Sequence, residues 1–155
     1  MSAVTMVKAL SSEIRAALEH YTLDADRHPP KPVTVYEQFI PRAHMEDERG
    51  EYHPMVVVTA SLIEDDEDNS YIETSLTFGV YGETSIGGNE PWIDLLNIVE
   101  TVRLRLLERQ VIGGRYRLIK PMVTEIAEVQ PAPFFYGHMT ARYVMYQPVE
   151  RGRLR

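Results

Sequence analysis

Five consecutive carboxylates, Glu64-Asp65-Asp66-Glu67-Asp68, are the densest charge in the chain. Crowded carboxylates repel one another, and a hard divalent cation such as Mg2+ relieves that repulsion. The spacing of a calcium-binding loop, with a central glycine and a distant glutamate, is absent. Side chains on a hairpin tip also alternate in direction, so the five do not converge on one ion. A solvated tip, or one that meets a basic partner, is the simpler reading, and no metal ligand is assigned. A second cluster, His44, Glu46, Glu48 and His53, would suit a metal-dependent hydrolase. Its histidines stand nine residues apart, and Gly50 and Pro54 oppose a helix. The i, i+4 spacing that puts two ligands on one helical face is therefore missing, and a solvated loop accounts for the group.

Covalent chemistry has no better footing. The chain has no cysteine, which removes disulfides, thiolate zinc sites, iron–sulfur clusters and cysteine nucleophiles together. No serine lies in the glycine frame of a nucleophile elbow. Ser85-Ile86-Gly87-Gly88 lacks the lysine of a phosphate-binding loop and reads as a strand-to-helix connection. The expectation is a protein that is not an enzyme and has no cofactor.

What remains is the chemistry of contact. Phe134, Phe135 and Tyr136 follow Pro131 and Pro133 in what reads as a turn, where three successive aromatics cannot all point inward. A neighbouring subunit would cover one or more of them; a ligand held there by a monomeric binding module is the alternative. Arg151, Arg153 and Arg155 form a basic tail, residues 149–155, after a single domain spanning 1–148. The formal charge of −7 conceals a gradient: residues 1–102 hold 6 basic and 19 acidic side chains, whereas 103–155 hold 10 basic and 4 acidic. Oppositely charged regions let copies of a molecule attract one another head to tail.

The elements that position these groups follow from periodicity. Val7, Leu10, Ile14, Ala17, Leu18 and Tyr21 form a helical stripe, and Pro29, Pro30 and Pro32 then force an extended linker. Val33–Ile40 reads as a short strand. Met55–Ile63 and Tyr71–Tyr81 form a long hairpin with the acidic run at its tip; Ile72, Leu76, Phe78 and Val80 point inward, Glu73, Ser75 and Thr77 outward. Asn89 and Pro91 announce a second helix, whose stripe Trp92, Leu95, Leu96, Val99, Val102 and Leu106 is expected in the core, with a partner anchor that keeps one exposed edge as the alternative for Trp92. An aspartate at Leu96 or Val99 is accordingly expected to unfold the domain. Tyr116–Ile126 reads as a strand with Pro121 at an edge or bulge, and His138–Tyr146 as a last strand. The order α-β-β-β-α-β-β suggests an α+β fold, a mainly antiparallel sheet with two amphipathic helices packed on one face. No segment approaches the roughly 20 apolar residues that span a bilayer, and the N-terminus has no secretion-signal pattern.

Several of these segments also carry a family resemblance: Tyr81-Gly82 closing a strand, a glycine-rich gap, Trp92-Ile93-Asp94-Leu95-Leu96 opening a helix, Val111-Ile112-Gly113-Gly114-Arg115, Gln130-Pro131-Ala132-Pro133-Phe134-Phe135-Tyr136-Gly137, and a strand ending near Gln147-Pro148. Over roughly residues 55–148 the chain resembles the tail terminator, or tail completion, proteins of long-tailed bacteriophages and prophages. The resemblance implies a ring, typically a hexamer, that caps the tail tube at the head-proximal end of the virion after assembly in host cytoplasm. Its partners would be itself, the tail tube protein and a head connector or neck protein. Genomic DNA would pass through the lumen without sequence-specific binding. Another phage neck or minor tail protein is the neighbouring alternative. On this reading the acidic hairpin either projects into the lumen or meets Arg151, Arg153 and Arg155 of a neighbour.

Overall fold

The computed structural model describes residues 2–21, 31–39, 53–82, 91–131 and 133–147. His44, Glu46, Glu48, the 85–88 glycine loop, Asn89 and the basic tail with Arg151, Arg153 and Arg155 lie outside the described residues. Eight elements run in the order α1 (Ala3–Leu18), β1 (Thr34–Glu37), β2 (Met55–Asp65), β3 (Asn69–Tyr81), α2 (Pro91–Glu108), β4 (Val111–Ile112), β5 (Tyr116–Ile126) and β6 (Phe134–Tyr146). The two-residue β4 is the one element beyond the sequence expectation. It forms because Gly113 and Gly114 both take positive φ in a tight turn closed by the Arg115 N–H donating to the Ile112 carbonyl. Only glycine takes that conformation without strain.

The strands make one sheet in the order β1-β2-β3-β6-β5-β4. β1 runs parallel to β2 and every other pairing is antiparallel. Alternation sorts the side chains. Ile72, Leu76, Phe78 and Val80 of β3, together with Met139, Ala141, Tyr143 and Met145 of β6, are buried on the face that carries both helices. Between Ile72 and Leu76, Thr74 is also buried and donates its hydroxyl to the Ala141 carbonyl at 2.6 Å, which removes the penalty of hiding a hydroxyl. Pro121 sits where the β5–β6 register shifts, between Ile119 and Val123, as its missing N–H requires.

α1 begins with a capping box. The Thr5 N–H donates to the Ser2 hydroxyl and the Ser2 N–H to the Thr5 hydroxyl, satisfying donors that the first turn leaves orphaned. Its inner stripe of Met6, Val7, Leu10, Ile14 and Leu18 is buried. On its polar side Glu13 receives Arg105 of α2 and Arg109 just beyond its end, at 3.0 and 3.3 Å. Lys8 and Arg15 reach Glu37 on β1 at 2.9 and 3.1 Å. The Lys8 ammonium, with Arg15 beside it, holds the Glu37 carboxyl below its ordinary range.

The buried residues of α2 are Pro91, Asp94, Leu95, Ile98, Val99, Val102 and Leu106. This corrects the expected stripe at two positions: Trp92 is 49% exposed and Leu96 39%. The first turns of α2 are apolar nearly all round, so spacing alone did not fix which line of residues the sheet takes. An aspartate at Val99 should therefore abolish cooperative unfolding, because an unpaired buried charge costs several kcal/mol against a total stability of about 5–15 kcal/mol. Leu96→Asp should stay folded and lie within about 1 kcal/mol of the parent in thermal denaturation followed by circular dichroism.

Candidate functional site

Both helices lie on one side of the sheet, and among the described residues no helix covers the other side. Its rows are read from the register. On β3 they are Tyr71, Glu73, Ser75, Thr77, Gly79 and Tyr81; opposite them on β6 stand Val144, Arg142, Thr140, His138, Tyr136 and Phe134. The face is polar in the middle and aromatic at one end.

Phe134, Phe135 and Tyr136 are not in a turn. They open β6, and alternation sends Phe135 toward the core cluster while Phe134 and Tyr136 face the open side. There they stack with interplanar angle 8° and enclose His53, which is 2% exposed. The imidazole lies 5.1 Å from the Phe134 ring centroid and 5.8 Å from that of Tyr136. Its Nε2 is 3.3 Å from the Tyr136 hydroxyl. Gly79 forms the floor: a Cβ there would stand 2.9 Å from His53 Cδ2 and 3.0 Å from Tyr136 Cε1. His53 is thus a packed aromatic partner rather than part of a solvated loop.

At the opposite end lies the acidic hairpin. Asp66 uses its carboxylate to close the turn: Oδ1 accepts the Asp68 and Asn69 N–H groups at 2.9 and 2.7 Å, and Oδ2 accepts the Tyr71 hydroxyl at 3.0 Å. The Asn69 N–H, helped by the Asp68 N–H and the Tyr71 hydroxyl, holds the Asp66 carboxyl below its ordinary range. Asp65 accepts from the Ser70 hydroxyl. Glu64 meets a basic partner within its own chain: Arg142 reaches it at 3.1 Å and lies 4.5 Å from the Tyr71 ring centroid. Glu67 and Asp68 make no ion pair among the described residues. Among those residues no group of three or more His, Asp or Glu side chains gathers where it could hold a metal ion.

Two residues that sequence reasoning passed over end the strands on this scaffold. The Gln38 side chain accepts the Ala60 N–H at 3.0 Å and donates to the Ala60 carbonyl at 3.2 Å. Gln130 does the same to Tyr136, accepting its N–H at 2.9 Å and donating to its carbonyl at 3.1 Å. Each amide stands in for one peptide unit of a neighbouring strand and then stops the ladder. A glutamine in a loop gives no sign of this, because the pairing depends on what the fold brings beside it.

Next to β4 and the tip, Tyr71, Arg115, Arg117, Val144 and Tyr146 line an open groove of about 1000 Å³. Among the described residues, no helix is long and apolar enough to cross a membrane. No protein-family model matches the chain, and no curated protein matches it.

Two measurements check this geometry. Gly79→Ala should destabilise the fold by about 1–3 kcal/mol, since both rings around the new methyl must move; chemical denaturation reads the loss. Asp66, depressed in the folded state, contributes tip order that is complete above its unfolded pKa of about 3.9 and lost as pH falls through the lower folded value. The Asn69 amide shift followed by NMR should therefore titrate with a midpoint below the ordinary aspartate range.

Proposed function

We propose that this chain is a structural subunit of a long-tailed phage or prophage: a tail terminator that closes the tail tube as a ring and offers the surface on which the head joins. Two supports converge. One is the resemblance carried by segments between residues 55 and 148. The other, which carries the reading, is a sheet that among the described residues carries helices on one side only, its far side and edges bearing aromatic, acidic and basic groups. A one-sided sheet with open edges commonly completes itself against another chain. On this reading the function is binding without catalysis. The subunit touches copies of itself, the tail tube protein and a head connector or neck protein, and the genome passes through its lumen without sequence-specific contact. It would act at the head-proximal end of the virion tail, after assembly in host cytoplasm.

Light scattering on the purified protein, followed by negative-stain imaging, tests this. The expected result is an annular particle whose mass is a whole multiple of the subunit, six being the number the resemblance implies. A chain that stays monomeric both alone and when mixed with assembled tail tubes of the phage that carries it would overturn the proposal.

A further inference from the structure

The two edges of the sheet are stepped in opposite senses. On one edge β1 covers only Met55–Val58 of β2, and the Gln38 amide then occupies Ala60. From Ser61 to Asp65, β2 has no strand beside it on that edge among the described residues. On the other edge β4 covers only Tyr116 and Arg117 of β5, and the Leu118 N–H donates to the Gln110 carbonyl. From Ile119 to Ile126, β5 has no outer strand among the described residues.

These bare stretches lie at opposite ends. Val111 pairs with Arg117, Arg117 with Val144, Val144 with Tyr71, and Tyr71 with Glu64, so β4 and the bare part of β2 share one level of the sheet. Likewise Val123 shares a level with Thr140, Ser75 and Thr59, next to the place where β1 ends at Gln38 and Phe39. At the tip end one edge is recessed and the other projects; at the far end the two are exchanged. The chemistry matches as well as the shape. Leu62 and Ile63 on β2 are exposed, as is Val111 on β4, and Phe39 beyond β1 is exposed, as is Val123 on β5. The tip beside β2 carries Asp65 and Glu67. The corner beside β4 carries Arg115 and Arg117, which make no ion pair among the described residues.

We infer that the β1/β2 edge of one copy receives the β4/β5 edge of a second copy, with the Arg115–Arg117 corner against the acidic end of β2 and Phe39 near Val123. The inference rests on the ring reading above and specifies its contact. A rotation about an axis along the strands keeps strand direction, so β5, which runs away from the tip, meets β1 of the next copy antiparallel. The contact joins two different surfaces. It is therefore heterologous, the kind that generates rings when the rotation closes. Paired edges also remove the aggregation hazard of bare strands, and the charge pairs set register and partner choice.

Charge exchange tests the contact on the full chain. One variant carries Asp65→Lys and Glu67→Lys, the other Arg115→Glu and Arg117→Glu, and circular dichroism confirms that both fold. Each alone should self-associate at least about tenfold more weakly than the parent, since like charges then face each other. An equimolar mixture should recover the parent assembly mass, because each altered edge now complements the other. Since the chain has no cysteine, Glu64→Cys combined with Val111→Cys, two positions on the same level and the same face of the sheet, supplies a second readout: mild oxidation should give a ladder of linked subunits. Variants that assemble like the parent, a mixture that fails to recover, or absence of a ladder overturns this contact while leaving the ring reading standing. A parent protein that never assembles removes the ring reading itself, and this contact with it.

Discussion

β3 and β6 lie side by side for their whole length, thirteen residue pairs from Asn69 opposite Tyr146 to Tyr81 opposite Phe134. Every other feature hangs on that pairing. Because strand side chains alternate, a slip of one residue would carry Ile72, Leu76, Phe78 and Tyr143 to the open face and bring Glu73 and Arg142 under the helices. The apolar rows hold the register, and the register places the His53 aromatic group at one end and the Asp66 turn at the other. Burial of the large side chains beneath α1 and α2, at about 1.5–3 kcal/mol each, supplies the driving force. Ion pairs such as Glu13 with Arg105 fix how the helices sit rather than whether the core forms.

Much of this is readable from the chain. The alternation of β3 and β6, the amphipathic first helix, the hairpin around residues 64–68 and the irregularity at Pro121 follow from period and from proline chemistry. Residues 134–136 were harder, because Pro131 and Pro133 suggest a turn; the strand simply begins at once, and alternation separates Phe135 from its neighbours. Trp92 and Leu96 misled for a different reason. Where apolar residues surround a helix, spacing permits more than one stripe, and only the sheet beneath chooses. Gln38, Gln130 and the enclosure of His53 left no trace in the sequence, since each depends on groups far away along the chain.

The acidic run also changes meaning once folded. Its members differ in what they do: Asp66 closes the turn, Asp65 is engaged by Ser70, Glu64 is held by Arg142, and Glu67 and Asp68 face solvent. Part of the run is thus hairpin structure, and the remainder is charge presented beside a bare strand. Among the described residues, Asp65 and Glu67 stand at the tip end of β2, and Arg115 and Arg117 stand beside β4 on the other edge. Separation in space is what a heterologous contact requires.

Hydrogen–deuterium exchange measured on assembled and dilute protein addresses assembly through the sheet edges most directly. The account predicts that assembly adds protection at Ser61–Asp65 and at Ile119–Ile126, while the exposed side of α2 around Trp92 and Leu96 exchanges no differently. Added protection confined to that α2 surface, with both strand edges unchanged, would contradict it.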